Sequence, residues 1–228
     1  MLGDANFPDS ALEYFRDGRQ LLYQYLFEMY SRLAFTKYAD RAVAILGLQD
    51  RLSKGFKTRA AYGFFSAYFA RGLLWKSSEY QSMKPIIQPL GRRVPTWSFF
   101  SKEGAIKYLK LKFDQIVWAD EDFRNPFSRN STGDMATLHG LARRLNMSKQ
   151  DLLNYVMLDE PGEFEVNNLR CVVIGRDKLD GRTENPEYHV LIVHRTASNL
   201  EADVYERVGV ASLRPEKVDK EGSWIRVI

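Results

Sequence analysis

The stretch that decides the fold class reads Tyr188-His-Val-Leu-Ile-Val-His194, a short apolar run rich in β-branched residues. A run of this length and composition predicts a buried strand. Similar runs recur through the C-terminal half at Leu152–Leu158, Leu169–Ile174, Val204–Val210 and Trp224–Ile228. Because clusters of Pro, Gly, Asn and Asp separate these runs, the pattern predicts an antiparallel β sandwich or barrel.

Two segments that precede these runs have a less clear pattern of apolar residues. In Leu109-Lys-Leu-Lys-Phe113 apolar residues alternate with lysines, which predicts a strand with one wet face. In segment 135–145 the apolar residues Met135, Leu138 and Leu141 recur at helical spacing, whereas Gly140 favours a strand. Both interpretations of this second segment stay open.

In the first 77 residues the apolar side chains recur at helical spacing instead. A first helix is predicted to begin at the capping sequence Pro8-Asp9-Ser10 and to end near Leu33. Between Leu21 and Tyr30 its apolar residues face almost every direction, which predicts a helix enclosed by neighbours. Further helices are predicted from about Tyr38 to Leu52 and from about Thr58 to Trp75. Three helices with short connections are expected to pack as a small bundle.

Proline and glycine mark a boundary after the helical part, at Pro85, Pro89, Gly91 and Pro95. We therefore assign residues 8–77 to a helical bundle, 78–94 to a proline-rich connector and 95–228 to a β-rich unit. A single integrated domain is the alternative organisation. The predicted fold class is α+β, with an N-terminal three-helix bundle packed on a C-terminal antiparallel β sandwich or barrel.

The charge of the chain is nearly balanced: 33 basic and 29 acidic residues give a net charge of +4, with both signs interspersed. A nucleic-acid partner would require a basic stripe with stacking aromatic residues, so none is expected. Met1–Phe7 lacks the apolar core of a secretory signal, and the most apolar stretch, Leu21–Tyr30, is too short to span a bilayer. The sequence predicts a cytoplasmic protein without a membrane partner.

Residues with catalytic or metal-binding chemistry are few. Cys171 is the single cysteine and lies in an apolar run, which predicts a buried, inert thiol. His139 stands alone, and His189 and His194 point to opposite faces of one predicted strand, so no metal site is expected. The sequence contains no nucleophile elbow, Walker A loop or dinucleotide-binding fingerprint. We therefore expect no cofactor and no catalytic residue.

Charged clusters provide weaker candidates for a site. Arg92 and Arg93, beside Gly91, are candidates for holding a phosphate or a carboxylate. Carboxylates cluster at Asp120-Glu121-Asp122 and at Asp159-Glu160, where acid–base catalysis would need burial to separate their pKa values. Such runs usually lie in solvated loops, and both clusters are expected there.

Several motifs follow one another in the order of a known family. The first predicted helix ends in Tyr30-Ser-Arg-Leu-Ala-Phe-Thr36, followed by Asp40-Arg41 and Ala44-Ile-Leu-Gly47. Further along the chain come Tyr62-Gly-Phe-Phe65, Leu73-Leu-Trp75, Pro95-Thr-Trp-Ser-Phe-Phe-Ser101 and Tyr205-Glu-Arg-Val-Gly-Val210. Together, across residues 10 to 228, these motifs resemble the region C-terminal to the HET domain in fungal heterokaryon-incompatibility proteins.

The resemblance has departures with consequences. The arginine after Tyr30-Ser31 is advanced by one place, and Phe99 stands where the family signature has a second tryptophan. The HET domain itself has no counterpart in this sequence, so its effector chemistry is not carried over.

The resemblance implies a non-catalytic recognition or regulatory module of fungal allorecognition and programmed cell death. Its expected partner is a protein, either a HET domain or a second copy of the chain. The alternative is an enzyme or a small-molecule-binding protein with a pocket at the helix–sheet junction. The candidate ligand or interface residues are Arg92, Arg93, Trp75, Trp97 and Phe99.

The tryptophans of this set are also expected to have an architectural role. Trp75 and Trp97 flank the proline-rich turn, and their large rings are expected to hold the bundle against the β unit. Ser98 and Ser101 are expected to bond backbone groups at this irregular junction.

Overall fold

The computed structural model describes residues 7–8, 18–33, 40–78, 83–86, 94–128, 134–179, 185–196 and 203–228. Two α helices come first, α1, Arg19–Ser31, and α2, Asp40–Phe56. The predicted capping residues Asp9 and Ser10 lie outside the described residues. None of the helices in the described part of the chain is both long and apolar enough to cross a membrane.

Helix α1 is buried along one side only. Leu22, Tyr23 and Phe27 are almost fully buried, whereas Tyr25 and Met29 are each 46% exposed. The expectation of a helix enclosed on every side is therefore wrong, because Tyr25 and Met29, four residues apart, share a face turned to solvent.

Residues 58–75 form no long helix, so the third predicted helix is wrong and the three-helix bundle is not confirmed. A short antiparallel hairpin of β1, Ala60–Ala61, and β2, Phe64–Phe65, precedes a 3-10 turn at Ser66–Tyr68 and the one-turn helix α3, Phe69–Gly72. At the hairpin turn Tyr62 and Gly63 have φ angles of 53° and 81°. This left-handed conformation interrupts a helix, and aromatic residues suit strands as well as helices.

Four short strands surround the junction after α3. β3, Trp75–Ser77, pairs with β6, Ile106–Tyr108, and β4, Lys84–Pro85, pairs with β5, Lys102–Glu103, both antiparallel. The strand predicted at Leu109–Phe113 is wrong, since the strand lies upstream at β6. There Tyr108 lies opposite Trp75 and both side chains are buried, so packing sets this register.

The C-terminal part is dominated by one large sheet. Its strands are β7, Ile116–Trp118; β8, Phe123–Arg124; β9, Leu138–Leu145; β10, Val156–Leu158; β11, Leu169–Asp177; β12, Tyr188–Arg195; β13, Val204–Leu213; and β14, Val218–Val227. Five of them close a ring in the order β9, β11, β12, β13, β14 and back to β9. The β13–β14 pairing is parallel and the other four are antiparallel. The α+β class is confirmed, and the pairings describe a barrel with one parallel junction.

The barrel is split at one end. β9 and β11 pair at residues 142–144 and 170–172. Beyond this point β8 pairs with residues 139–140 of β9, while β7 pairs with residues 175–177 of β11. The two short strands, joined by a turn at residues 119–122, therefore fill the gap between the diverging strands.

Two predictions near β9 are settled by the structure. The ambiguous segment 135–145 contains strand β9 and no helix. The strand predicted at Leu152–Leu158 is correct only in its second half, because helix α4, Lys149–Tyr155, precedes β10. Ser148 and Asp151 form a capping box, which starts this helix before the apolar run.

The barrel strands bury apolar side chains on both faces, which produces two clusters. One contains Val172, Leu191 and Val210 and continues into the aromatic residues of the helical segment. The other contains Cys171 and packs against Leu152 of α4. The first of these clusters therefore joins the helical segment to the barrel.

Cys171 is fully buried, as predicted, and we expect it to be chemically inert in the native protein. Burial raises the pKa of its thiol to about 12, and the thiolate is the reactive form. Native protein should react with a colourimetric thiol reagent at least about 100-fold more slowly than the chain unfolded in urea. Rapid stoichiometric labelling of native protein would contradict this assignment.

Candidate functional site

The predicted junction residues Trp75, Trp97 and Phe99 come together and are fully buried. The indole Nε1 of Trp75 donates to the Trp97 carbonyl at 3.0 Å, and that of Trp97 donates to the Ala136 carbonyl at 3.2 Å. The Trp97 ring also packs edge-on against Phe64 at 4.9 Å between centroids. These tryptophans hold the helical segment against the barrel, and they present no surface to a ligand.

Serines complete this junction in the way the sequence predicts. Ser98 Oγ donates to the Tyr62 carbonyl at 2.7 Å and accepts from Phe100 N at 3.1 Å. Ser101 Oγ donates to the Ser98 carbonyl at 2.7 Å. Buried backbone groups of an irregular segment thereby find partners.

A buried ion pair, missed in the sequence, ties the barrel to this junction. Arg207 of β13 donates to both carboxylate oxygens of Asp159, at 2.8 and 3.1 Å, and the two residues are 1% exposed each. The guanidinium also donates to the carbonyls of Leu73 and Trp75 and lies 3.3 Å from the centre of the Trp75 ring. The expectation of a solvated loop at Asp159 is wrong, because this arginine compensates the buried charge. The sequence did contain one indication of this ion pair, since Arg207 is a charged residue within the apolar run Val204–Val210.

The three carboxylates of the other acidic cluster, residues 120–122, lie in different environments. Asp122 is buried and accepts two hydrogen bonds from Arg143, at 2.8 and 3.0 Å, so its expected solvated position is wrong. Glu121 pairs with Arg176 at the surface. Asp120 is exposed and faces a groove. The Asp122–Arg143 pair anchors the turn that joins β7 to β8.

This groove lies between α3 and the split end of the barrel, and it has a volume of about 820 Å³. Phe69, Ala70 and Arg71 of α3 form one wall. Trp118, Phe123 and Arg124 form another, and they belong to β7 and β8, the two end strands of the sheet. A site at a barrel mouth and a subdomain junction is a common position for ligands.

Charges of both signs line the groove. Arg71 and Arg124 supply cations, Asp120 and Asp134 supply carboxylates, and His139 lies on the β9 side. Arg71 is 4% exposed and its Nε donates to Gln24 Oε1 at 3.0 Å. Burial lowers the pKa of Arg71 to about 10, so its guanidinium stays charged at neutral pH. The groove therefore suits a ligand that carries both charges.

Asp177, His189 and Ser212 form a hydrogen-bonded row across β11, β12 and β13. His189 Nε2 lies 3.1 Å from Asp177 Oδ1, and its Nδ1 lies 2.9 Å from Ser212 Oγ. Acyl transfer uses this succession of groups, but it also needs room for substrate and oxyanion donors beside the serine. Ser212 does not line the groove, nor does it line a second, smaller cavity that includes Arg170 and Thr196. Because His189 lies directly opposite Ser212, the row ties three strands in register.

Two sequence-predicted site residues, Arg92 and Arg93, lie outside the described residues. Within the described ranges, no group of His, Cys, Asp and Glu is arranged to hold a metal ion. No protein-family model, curated protein or solved structure matches this chain.

Proposed function

We propose that this chain is a recognition module whose groove at the barrel mouth binds a polypeptide segment. The motifs that resemble the region C-terminal to the HET domain support a role in fungal self/non-self recognition, as a regulatory half. The bound segment then belongs to a HET domain or to a second copy of the chain. The observation that carries the proposal is the groove with both charges between α3 and the end strands of the barrel.

Two properties of the groove favour a polypeptide. Its cations, Arg71 and Arg124, and its carboxylates, Asp120 and Asp134, match the mixed side-chain charges of a peptide. Tyr68 and Trp118 are partly exposed in its walls and supply the aromatic surface that protein interfaces favour.

Filling the groove is expected to abolish this binding. Ala67 is exposed and lines the groove, so Ala67→Trp places a large ring there without disturbing the core. Peptides selected from a random displayed library on the unmodified protein should bind Ala67→Trp at least about tenfold more weakly. Biolayer interferometry measures the affinities, and sedimentation equilibrium shows whether Ala67→Trp also changes self-association.

Leu153→Trp is the matched control, because Leu153 is 68% exposed on α4 and does not line the groove. This variant should bind the selected peptides as tightly as the unmodified protein. Peptides that bind Ala67→Trp with full affinity would show that recognition lies on another surface and would overturn the proposal.

A small-molecule site is the second candidate, favoured by the volume of the groove. About 820 Å³ lies within the range of about 300–1,000 Å³ that is typical of ligand pockets. A metabolite that raises the melting temperature of the unmodified protein but not that of Ala67→Trp would favour this candidate over the polypeptide.

A further inference from the structure

A second cavity, of about 380 Å³, lies at the ends of β11 and β12, and it takes no part in the recognition groove. Arg170 contributes to it from β11, and His194, Arg195 and Thr196 contribute from the end of β12 and the residue after it. Asn168 and Tyr205 supply further polar groups. Among the described residues that line this cavity, none is acidic.

The two arginines of the cavity differ from most arginines of the barrel strands. Arg143, Arg176, Arg207 and Arg226 each form an ion pair with an aspartate or a glutamate. Within the described part of the chain, Arg170 and Arg195 form no ion pair. Two nearby glutamates, Glu165 before β11 and Glu206 on β13, are exposed, and neither forms an ion pair with Arg170 or Arg195. A positive charge is therefore left available at this cavity.

The strand register concentrates this charge further. Arg170 lies directly opposite Arg144 of β9, and like charges facing each other across strands are destabilising. On its other side Arg170 lies opposite Val193, so Arg195, two residues on, shares the same face of the sheet. Three arginines thus occupy one face of three adjacent strands, and two of them, Arg170 and Arg195, line the cavity.

Arg170 is held ready for a ligand. Its Nη1 donates to the carbonyls of Asn167 and Leu169, each at 2.7 Å, and the residue is partly buried. A guanidinium fixed by two carbonyls loses little freedom when it binds an anion, and partial burial strengthens the attraction. Thr196 is 8% exposed, and its hydroxyl has no hydrogen-bond partner in the described part of the chain. It can donate to a ligand oxygen after a small adjustment.

We infer that this cavity binds the phosphate group of a small phosphate monoester. A dianionic phosphate neutralises two arginines, and its oxygens accept hydrogen bonds from guanidinium, hydroxyl and amide donors. The cavity is larger than a phosphate ion, so an organic substituent fits beside the phosphate.

Binding is tested with adenosine 5′-monophosphate, inorganic phosphate and phosphate-free adenosine, by ¹H–¹⁵N NMR titration of the full chain. The monophosphate should shift the amide signals of Arg170 and Thr196, inorganic phosphate should compete with it, and adenosine should have no effect. Arg195→Gln should weaken binding at least about tenfold, since a charge-assisted hydrogen bond is lost. Arg195 is exposed, so this variant is expected to fold normally.

Arg214→Gln is the matched control, because Arg214 is exposed and lies outside the cavity. Its affinity should equal that of the unmodified protein. Equal binding of adenosine and its monophosphate, or full affinity in Arg195→Gln, would overturn the inference. Binding to vesicles that contain phosphatidylinositol 4-phosphate, without any binding of the soluble monophosphate, would also overturn it.

Discussion

Replacing Trp97 with alanine is expected to lower the free energy of unfolding by about 3–5 kcal/mol. The ring is fully buried between the helical segment and the barrel, against Phe64, Phe69 and Phe127. Truncation removes its transfer free energy, leaves a cavity, and deprives the Ala136 carbonyl of its indole donor. Domains are typically stable by only about 5–15 kcal/mol, so the loss is large. Urea denaturation followed by circular dichroism measures it.

Lys110→Ala is the control for this experiment. Lys110 is exposed in the irregular segment after β6, and its replacement should change the unfolding midpoint little. If Trp97→Ala kept full stability but lost binding to a peptide or metabolite, the junction would be a recognition site, and its architectural assignment would be wrong.

Replacing Arg207 with methionine is expected to cost about 3–5 kcal/mol of unfolding free energy. The variant leaves the Asp159 carboxylate buried without its guanidinium, and it leaves the carbonyls of Leu73 and Trp75 without their donor. An uncompensated buried charge is much more costly than a missing pair of charges. Thermal and urea unfolding of the purified variant measure the change.

The double variant Arg207→Met/Asp159→Leu separates charge from packing. It should recover part of the stability that the single variant loses, because no isolated charge remains. Glu163→Gln is the control, because Glu163 is 95% exposed and its only ion pair among the described residues, with Lys149, is long at 4.0 Å. This variant should unfold like the unmodified protein. A single Arg207→Met variant of unchanged stability would show that the pair contributes little.

The Arg207–Asp159 pair also has a consequence for the proposed recognition groove. Its guanidinium donates to the Leu73 carbonyl directly after α3, and α3 forms one wall of the groove. The ion pair therefore positions this wall relative to the barrel strands of the opposite wall. Loss of peptide affinity in Arg207→Met, measured below its unfolding temperature, would be consistent with this coupling.

The sequence by itself determined the features that depend on local pattern. Runs of β-branched residues located β11, β12 and β13, and the apolar neighbours of Cys171 predicted its burial. The proline-rich turn before Trp97 predicted a buried junction with Ser98 and Ser101 as its hydrogen-bonding residues. These predictions hold because alternation and turn chemistry act over a few neighbouring residues.

Only the tertiary structure decided the features that join distant parts of the chain. Aromatic spacing at 58–75 predicted a helix, but packing and the left-handed turn at Tyr62 and Gly63 produced a hairpin. Arg207 meets Asp159 across 48 residues and the Leu73 carbonyl across 134. The groove and the basic cavity likewise depend on which strands pair and in which register. Local pattern cannot specify register between distant strands, because many alignments bury the same apolar residues.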